Sequence, residues 1–140
     1  MAGKILLEVV TPEKQLLSQP VDEVIAPGSE GEFGVLPGHC HFLSTLRIGE
    51  LRYRIDDQVS HMAILWGYAE VTPTKVTVMA EIAEKAEDID ITRAQAAVEE
   101  AERRLKAGGL PSEVKEAQIS LEKARLRRKI GERAHKTTQA

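Results

Sequence analysis

Two periods of hydrophobic residues divide the chain. Before about residue 88, apolar side chains alternate with polar ones, as in Leu51-Arg52-Tyr53-Arg54-Ile55, which is typical of a strand with one buried face. After residue 90 they recur every three or four residues, which places them on one face of an α-helix. Asp90 is suited to cap the first helix, because its carboxylate can accept a hydrogen bond from a first-turn N–H. The sequence predicts a β domain over residues 1–87 and a helical domain over residues 88–140.

Short apolar runs separated by turn residues fill the predicted β domain. Proline and glycine stand between the runs, for example at Pro27-Gly28 and Pro37-Gly38. The pattern predicts eight or nine strands, with separate strands over residues 61–65 and 68–71. Many short strands at this spacing favour a flattened antiparallel β-sandwich or barrel, so the predicted fold class is α+β.

Two apolar stripes predict two helices in the C-terminal domain. Gly108-Gly109 ends the first helix, since glycine readily adopts the left-handed conformation there, and Pro111 suits the start of the second. A short link between helices predicts an antiparallel hairpin. The second stripe is interrupted by Arg128, and Ile130 lies off its line. The stripes are formed by Ile91, Ala94, Val98, Ala101 and Leu105, and by Val114, Ala117, Leu121 and Ala124.

The composition of these stripes bears on their stability. Alanine and valine dominate them, and at about 25 cal/mol per Å² of buried apolar area alanine contributes far less than leucine. Isolated helices of this length are marginal in water. We therefore expect the hairpin to be the less stable domain, able to undock or extend about the glycine pair. A static hairpin that covers one face of the sheet is the alternative.

Charge is distributed unevenly. The net charge is −3, but residues 1–90 carry 7 Lys/Arg against 15 Asp/Glu, whereas residues 121–140 carry 7 against 2. This asymmetry favours contact between the basic end and an acidic surface, and a solvated terminus is the alternative. Aromatic residues make up only 4% of the chain, which argues against a base-stacking platform for nucleic acid.

The sequence contains no motif that points to catalysis. It has neither a glycine-rich phosphate loop of the Walker type nor a Ser-His-Asp or Cys-His nucleophile pattern. His39-Cys40-His41 is the only cluster of metal-ligand residue types, and it has no second cluster to complete a site. A turn followed by a strand is therefore favoured over a metal-dependent enzyme. The single cysteine predicts a reducing compartment, and no apolar segment is long enough to span a membrane.

Several segments together resemble the epsilon subunit of bacterial F-type ATP synthases. They are residues 9–12 (VVTP), 30–39 (EGEFGVLPGH), 66–71 (WGYAEV), 76–80 (VTVMA) and 89–94 (IDITRA). Each segment alone is a weak signal, but their order and spacing hold over essentially the whole chain. One departure is the tryptophan that opens the third segment, where the family usually has glycine.

The resemblance implies a β-sandwich of about ten strands, a helical hairpin and a non-catalytic role in the rotating central stalk of a proton-translocating ATP synthase. Such a subunit couples rotation to ATP synthesis, and its mobile helices inhibit ATP hydrolysis. The implied partners are the gamma subunit, the ring of c subunits and, in the extended state, the alpha/beta hexamer, with no nucleic acid. The implied location is the cytoplasmic face of the bacterial plasma membrane, reached only through the complex. A free-standing nucleotide sensor of the same fold is the alternative.

The resemblance also implies three sets of site residues. The contact region for gamma and the c-ring comprises Glu30, Gly31, Phe33, Leu36, Pro37 and His39. The residues expected to contact the beta subunit during inhibition are Arg125, Arg127 and Arg128, for which an exposed helix face is the alternative. An ATP site in the compact state would use Glu84, Ile89, Asp90, Arg93, Ala94, Lys123 and Arg127.

Two substitutions bear on the implied ATP site. Lys123 stands where ATP-binding members carry arginine, and lysine lacks the planar donor fork. Glu100 stands where they carry another arginine, which brings negative charge toward the phosphates. We therefore expect weak regulatory binding of ATP or none, and no required cofactor or metal.

Overall fold

The computed structural model describes residues 3–39 and 41–139, with side chains as far as residue 134. The chain separates into two compact units, Met1–Lys85 and Ala86–Ala140, whereas the sequence pattern placed the division between residues 87 and 88. The first unit contains the strands Ile5–Val10 (β1), Gln15–Val21 (β2), Glu23–Gly28 (β3), Gly31–Val35 (β4), Phe42–Leu46 (β5), Gly49–Ile55 (β6), Gln58–Val71 (β7) and Lys75–Lys85 (β8). The second contains a 3-10 turn at Ala86–Asp88 and the helices Ile91–Ala107 (α1) and Pro111–Gln139 (α2).

The strands of the first unit form one sheet that folds back on itself. Their order is β2-β1-β8-β7-β5-β3-β4, and β6 pairs with both β3 and β7. All of these pairs are antiparallel except β1 with β8. Because β3 and β7 each pair with two different strands on the same side, the sheet encloses a core of apolar side chains. The predicted sandwich is confirmed, with eight strands in the described residues rather than about ten.

Large aliphatic side chains fill this core. Ile5, Leu7 and Val9 alternate along β1 with half-buried neighbours, as the period-two pattern predicts. The opposite layer contributes Leu51 and Ile64, which are also fully buried. Side chains of this size each stabilise the folded state by about 1.5–3 kcal/mol when fully buried, so the first unit has a substantial hydrophobic core.

The two strands predicted over residues 61–65 and 68–71 are one continuous strand, β7. Its first half pairs with β6 and its second half with β5. Trp66 and Gly67, which interrupt the alternation of apolar residues, have positive φ angles of 55° and 151°. The prediction was wrong because this interruption is a local twist of the backbone, and β8 continues beside β7 on both sides of it.

The twist at residues 66 and 67 changes which side chains of β7 face the core. Met62 and Ile64 belong to the core before it, and Ala69 and Val71 belong to the core after it, so the parity of the buried positions changes. A Cβ atom on Gly67 would lie 2.1 Å from the carbonyl oxygen of Met79, which no side chain can tolerate. Glycine therefore allows one long strand to serve both halves of the folded sheet.

The predicted ends of α1 are confirmed. The Asp90 carboxylate accepts a hydrogen bond from the Arg93 backbone N–H at 3.0 Å, and Asp90 itself has extended geometry, as an N-cap requires. At the other end Gly108 has a φ of 72°, and its N–H donates to the carbonyl oxygens of Arg104 and Leu105. Both helix ends thus follow from local side-chain and backbone chemistry.

The helices pack through the predicted stripes, in which small residues are prominent. Val98, Ala101, Leu121 and Ala124 form a buried cluster, and Leu105 is half-buried beside it. None of the described helices has both the length and the apolar content needed to cross a membrane.

Burial in α2 continues beyond Arg128, which interrupts the predicted stripe. Ile130 is fully buried and Gly131 is also buried. A Cβ atom on Gly131 would lie 2.9 Å from Cγ1 of Ile91 and 3.0 Å from Cγ2 of Ile89, so the α2 backbone comes close to the start of α1. Ile130 lies off the line of the α1-facing stripe, as the sequence indicates, and is buried because α2 packs against the 3-10 turn as well as against α1.

Candidate functional site

The basic half of α2 is the first candidate site, and its arginines are not equivalent. Arg128 is half-buried, and its Nη1 donates to Oε1 of Gln95 on α1 at 2.9 Å. Gln95 donates in turn from Nε2 to Oε1 of Glu99 at 3.2 Å. A chain of hydrogen bonds therefore leads from the Arg128 guanidinium to a carboxylate on α1.

Arg125 and Arg127 are held differently. Arg125 lies 3.8 Å from the Glu102 carboxylate, and the two side chains are 55% and 48% exposed. An ion pair this exposed contributes at most about 1 kcal/mol. Arg127 is half-buried and takes part in a polar or electrostatic interaction of its own. Of the three arginines expected to reach an acidic partner, Arg125 is thus the most accessible in this structure and Arg128 is held by a specific acceptor.

The residues implied in an ATP site divide between structural and accessible positions. Glu84 belongs to β8 of the first unit and the other six residues belong to the second. Ile89 and Ala94 are buried, and the Asp90 carboxylate serves as the cap of α1. The Arg93 side chain is exposed. Lys123 and Arg127 are four residues apart on one face of α2, and both already interact with other groups.

Glu100, where ATP-binding members have arginine, pairs within its own helix. Its carboxylate accepts hydrogen bonds from Nε of Arg103 at 3.1 Å and from Nη2 at 2.6 Å. This bidentate pair lowers the pKa of the Glu100 carboxyl. The negative charge of Glu100 is therefore balanced locally on the exposed surface of α1.

The predicted gamma and c-ring contact region does not form a single patch. Glu30 and Gly31 lie at the start of β4, and Leu36, Pro37 and His39 follow its end. Five strand residues separate the two groups by roughly 16 Å. Phe33, between them, packs partly against the core.

The structure adds two residues to the second of these groups. Leu36 is 54% exposed, and the exposed Phe42 and Leu43 open β5 close to it in the chain. The Phe42 ring packs edge-on against Phe33 with centroids 5.1 Å apart, and it faces the His39 ring at 6.3 Å. We refer to Leu36, Phe42 and Leu43 together as the end surface, and the sequence analysis predicted no contact role for Phe42 or Leu43.

A turn beside the end surface helps to fix its loop. The Gly38 N–H donates to the Pro73 carbonyl oxygen at 2.9 Å, which ties the β4–β5 loop to the β7–β8 turn. Gly38 has a φ of 86°, a conformation that favours glycine. The loop therefore presents its exposed apolar side chains from a fixed position.

A polar network on β6 and β7 was not predicted. Glu50 is only 7% exposed, and its carboxylate lies 3.0 Å from Nδ1 of His61 and 3.2 Å from Nη1 of Arg52. Arg52 also donates to Glu32 at 3.1 Å. A buried carboxylate requires such partners, so we interpret this network as structural.

Residues of the types that bind metal ions do not form a metal site among the residues that the structure describes. No group of three His, Cys, Asp or Glu side chains there is arranged to hold an ion. Cys40, the middle residue of the His-Cys-His segment, lies outside the described residues.

Comparisons with known proteins cover nearly the whole chain. Residues 4–86 match the family domain described as ATP synthase, Delta/Epsilon chain, beta-sandwich domain, and residues 87–130 match the corresponding long alpha-helix domain. The ATP synthase epsilon chain of Syntrophobacter fumaroxidans is 55% identical over 133 residues, which is 95% of this chain and 99% of that relative. That of Citrifermentans bemidjiense is 51% identical over 137 residues, with 96% and 98% covered.

Two solved assemblies contain a chain of similar fold. One is the OSCP/F1/c-ring structure of the Euglena gracilis mitochondrial ATP synthase, with a TM-score of 0.77, 26% identity and coverage of 87% of this chain and 78% of that chain. The other is the central stalk/c-ring structure of the Tetrahymena thermophila mitochondrial ATP synthase, with a TM-score of 0.59, 15% identity and coverage of 91% and 96%. The second likeness concerns the fold alone.

Proposed function

The chain belongs to the ATP synthase delta/epsilon chain family, and we propose that it is a non-catalytic rotor subunit in the central stalk of a proton-translocating F-type ATP synthase. The observation that carries this proposal is the match of both domains, in order, to relatives that are epsilon chains along almost their whole length. The subunit couples rotation of the stalk to ATP synthesis. It acts at the cytoplasmic face of the bacterial plasma membrane and reaches the membrane only through the complex.

The β unit is the part that we propose to contact gamma and the c-ring. Its end surface presents Leu36, Phe42 and Leu43, which are 54%, 41% and 69% exposed. Aromatic side chains such as Phe42 are enriched in protein interfaces. Glu30 and Gly31, at the other end of β4, belong to the same proposed contact region for gamma and the c-ring.

The helical unit is the part that we propose to inhibit ATP hydrolysis. Its interface relies on small side chains such as Ala101 and Ala124, so the hairpin opens at modest energetic cost. Gly108 and Gly109, with φ angles of 72° and 124°, supply the pivot. In the extended state Arg125, Arg127 and Arg128 contact acidic residues of the beta subunit in the alpha/beta hexamer.

The experiment that tests this function compares the ATPase rate of the purified complex with the full chain and with a chain ending at residue 90. We expect the shortened chain to stay in the complex and the ATPase rate to rise. An unchanged rate, with the shortened chain present in the complex, would contradict the inhibitory role. Loss of the full chain from the membrane ATPase during purification would instead favour a free-standing nucleotide sensor.

ATP binding to the helical unit would be a second means of regulation, and we propose that this binding is weak or absent. Asp90, one of the implied residues, already caps α1, and Glu100, which replaces an arginine of ATP-binding members, brings a negative charge that is paired with Arg103. A ligand present at only its own Kd stabilises the bound state by about 0.4 kcal/mol, so weak ATP binding would have little effect on the hairpin. Calorimetric titration of the isolated subunit with MgATP tests this, and a micromolar Kd would contradict it.

A further inference from the structure

Arg128 lies on the buried face of α2, where the neighbouring positions are occupied by small residues. It follows Ala124 by four residues and precedes Gly131 by three, so all three share one face of the helix. Ala124 and Gly131 are buried, and Arg128 is half-buried between them. A charged side chain on such a face needs a partner, because removing a guanidinium from water without a hydrogen bond is unfavourable.

Gln95 is that partner, and α1 holds it in place. Its Oε1 accepts from Arg128 at 2.9 Å, and its Nε2 donates to Glu99 one turn later at 3.2 Å. Both ends of the Gln95 amide are therefore used in a complementary way, with the oxygen directed at the guanidinium. A hydrogen bond from a charged donor is stronger than one between neutral groups.

This bond lies far from the glycine turn that joins the two helices. Gln95 lies 13 residues before Gly108, which corresponds to roughly 20 Å of helix. The Arg128–Gln95 bond thus joins the two helices far from the glycine turn. Separation of the helices about that turn breaks this bond, whereas the exposed Arg125–Glu102 pair offers little resistance.

We propose that the Arg128–Gln95 hydrogen bond is the latch that sets how often the hairpin opens. The same guanidinium is occupied by α1 in the closed hairpin and becomes available to an acidic protein surface only after opening. The latch rests on the proposed inhibitory function, to which it adds the residue pair that regulates it. Substitution at Gln95 therefore tunes opening and leaves Arg128 itself intact.

Opening is measured on the full chain by the labelling rate of a thiol buried between the helices. Ala101→Cys, in a Cys40→Ser background, places the thiol at a position that is 2% exposed. Its labelling rate is proportional to the open population even when that population is small. Gln95→Ala should raise the rate about tenfold, the effect of losing one hydrogen bond to a charged group. Gln95→Glu combined with Glu99→Gln exchanges the amide and the carboxylate, so Arg128 gains a charged acceptor and residue 95 keeps a hydrogen-bond partner one turn later. This double variant should lower the rate several-fold.

Gln118 supplies the matched control. It is an exposed residue of α2, four residues before the exposed Glu122. Gln118→Ala, and Gln118→Glu combined with Glu122→Gln, make the same chemical changes away from the hairpin interface. Both control variants should leave the labelling rate unchanged. Alanine is a better helix former than glutamine, so faster labelling in Gln95→Ala would not reflect a weakened α1. Arg128→Ala combined with Gln95→Ala should label no faster than either single variant, since both remove the same bond.

The ATPase rate of the complex separates the latch from the function on which it rests. Gln95→Ala should make the complex more strongly inhibited, and the combined Gln95→Glu and Glu99→Gln variant should make it less strongly inhibited. Unchanged labelling in both Gln95 variants would overturn the latch, even if the chain ending at residue 90 still relieves inhibition. Labelling that shifts as expected, with an ATPase rate that is constant in the Gln95 variants and in the chain ending at residue 90, would support the latch and overturn the inhibitory function.

Discussion

The two units of this chain bury different kinds of side chain. The β unit packs Ile5, Leu7 and Ile64 at zero exposure, whereas Val98, Ala101 and Ala124 are prominent in the interface of the helical hairpin. Large aliphatic side chains provide several times the stabilisation of alanine. We therefore expect the β unit to be the more stable of the two. The hairpin should be able to open reversibly while the β unit remains folded.

The greatest loss of stability is expected in the hydrophobic core of the β unit. Ile64→Ala should lower the free energy of unfolding of the β unit by about 2–5 kcal/mol, because it leaves a cavity in a close-packed core. Denaturant unfolding followed by the fluorescence of Trp66, which lies on the same strand, measures it. Val59→Ala, at an exposed position of β7, is the control and should cost much less. If both variants lowered the free energy of unfolding by a similar small amount, the β unit would lack the strongly stabilising core that distinguishes it from the hairpin.

The twist in β7 provides the next prediction. Gly67→Ala should destabilise the β unit by about 3 kcal/mol, because its φ of 151° is unfavourable for alanine and its Cβ would collide with the Met79 carbonyl oxygen. Gly34→Ala is the matched control, since Gly34 is also in a strand but has open space around its Cα. The melting temperatures of the two variants, measured by thermal unfolding, test this prediction. Equal melting temperatures would show that the twist can be rebuilt without glycine.

A smaller effect is expected at Gly131 in the hairpin. Gly→Ala within an exposed helix usually stabilises it by about 1 kcal/mol. Here the sign should reverse, because the added Cβ would lie within 3.0 Å of Ile89 and Ile91 side-chain atoms. Amide exchange of α2 in the full chain measures the change. Slower exchange in Gly131→Ala would mean that α2 does not approach the start of α1 closely.

The smallest expected effect concerns acid stability of the β unit. Asp22 accepts hydrogen bonds from the Asp56 N–H at 2.6 Å and from Lys4 at 2.9 Å, and these lower the pKa of its carboxyl below the ordinary 3.8. A lowered folded-state pKa gives stability that is present above the ordinary value and is lost as pH falls through the folded one. Asp22→Asn should therefore flatten the acid limb of the stability curve below about pH 4. Asp57→Asn, at an exposed position in the β6–β7 turn, should leave that limb unchanged, and an equal change in both variants would exclude a specific role for Asp22.

Local chemistry could be predicted from the sequence in both units. The cap at Asp90 and the glycine at residue 108 use groups within three or four residues of each other, so both ends of α1 were predicted correctly. The alternation along β1 also predicted its buried residues. These features depend on neighbours in the sequence rather than on distant parts of the chain.

Features that depend on distant partners could not be predicted in this way. The continuity of β7 follows from its pairing with β8, and the burial of Ile130 follows from contact of α2 with the 3-10 turn. The Gln95–Arg128 bond joins residues 33 positions apart and involves a neutral amide, for which no sequence pattern exists.

Native-state amide exchange of the full chain tests the contrast between the two units most directly. Amides of α1 and α2 should exchange through low-energy openings, at least about a hundredfold faster relative to their intrinsic rates than amides in the centres of β7 and β8. Equal protection of helices and strands, with both exchanging only through global unfolding, would contradict the claim that the hairpin opens independently of the β unit.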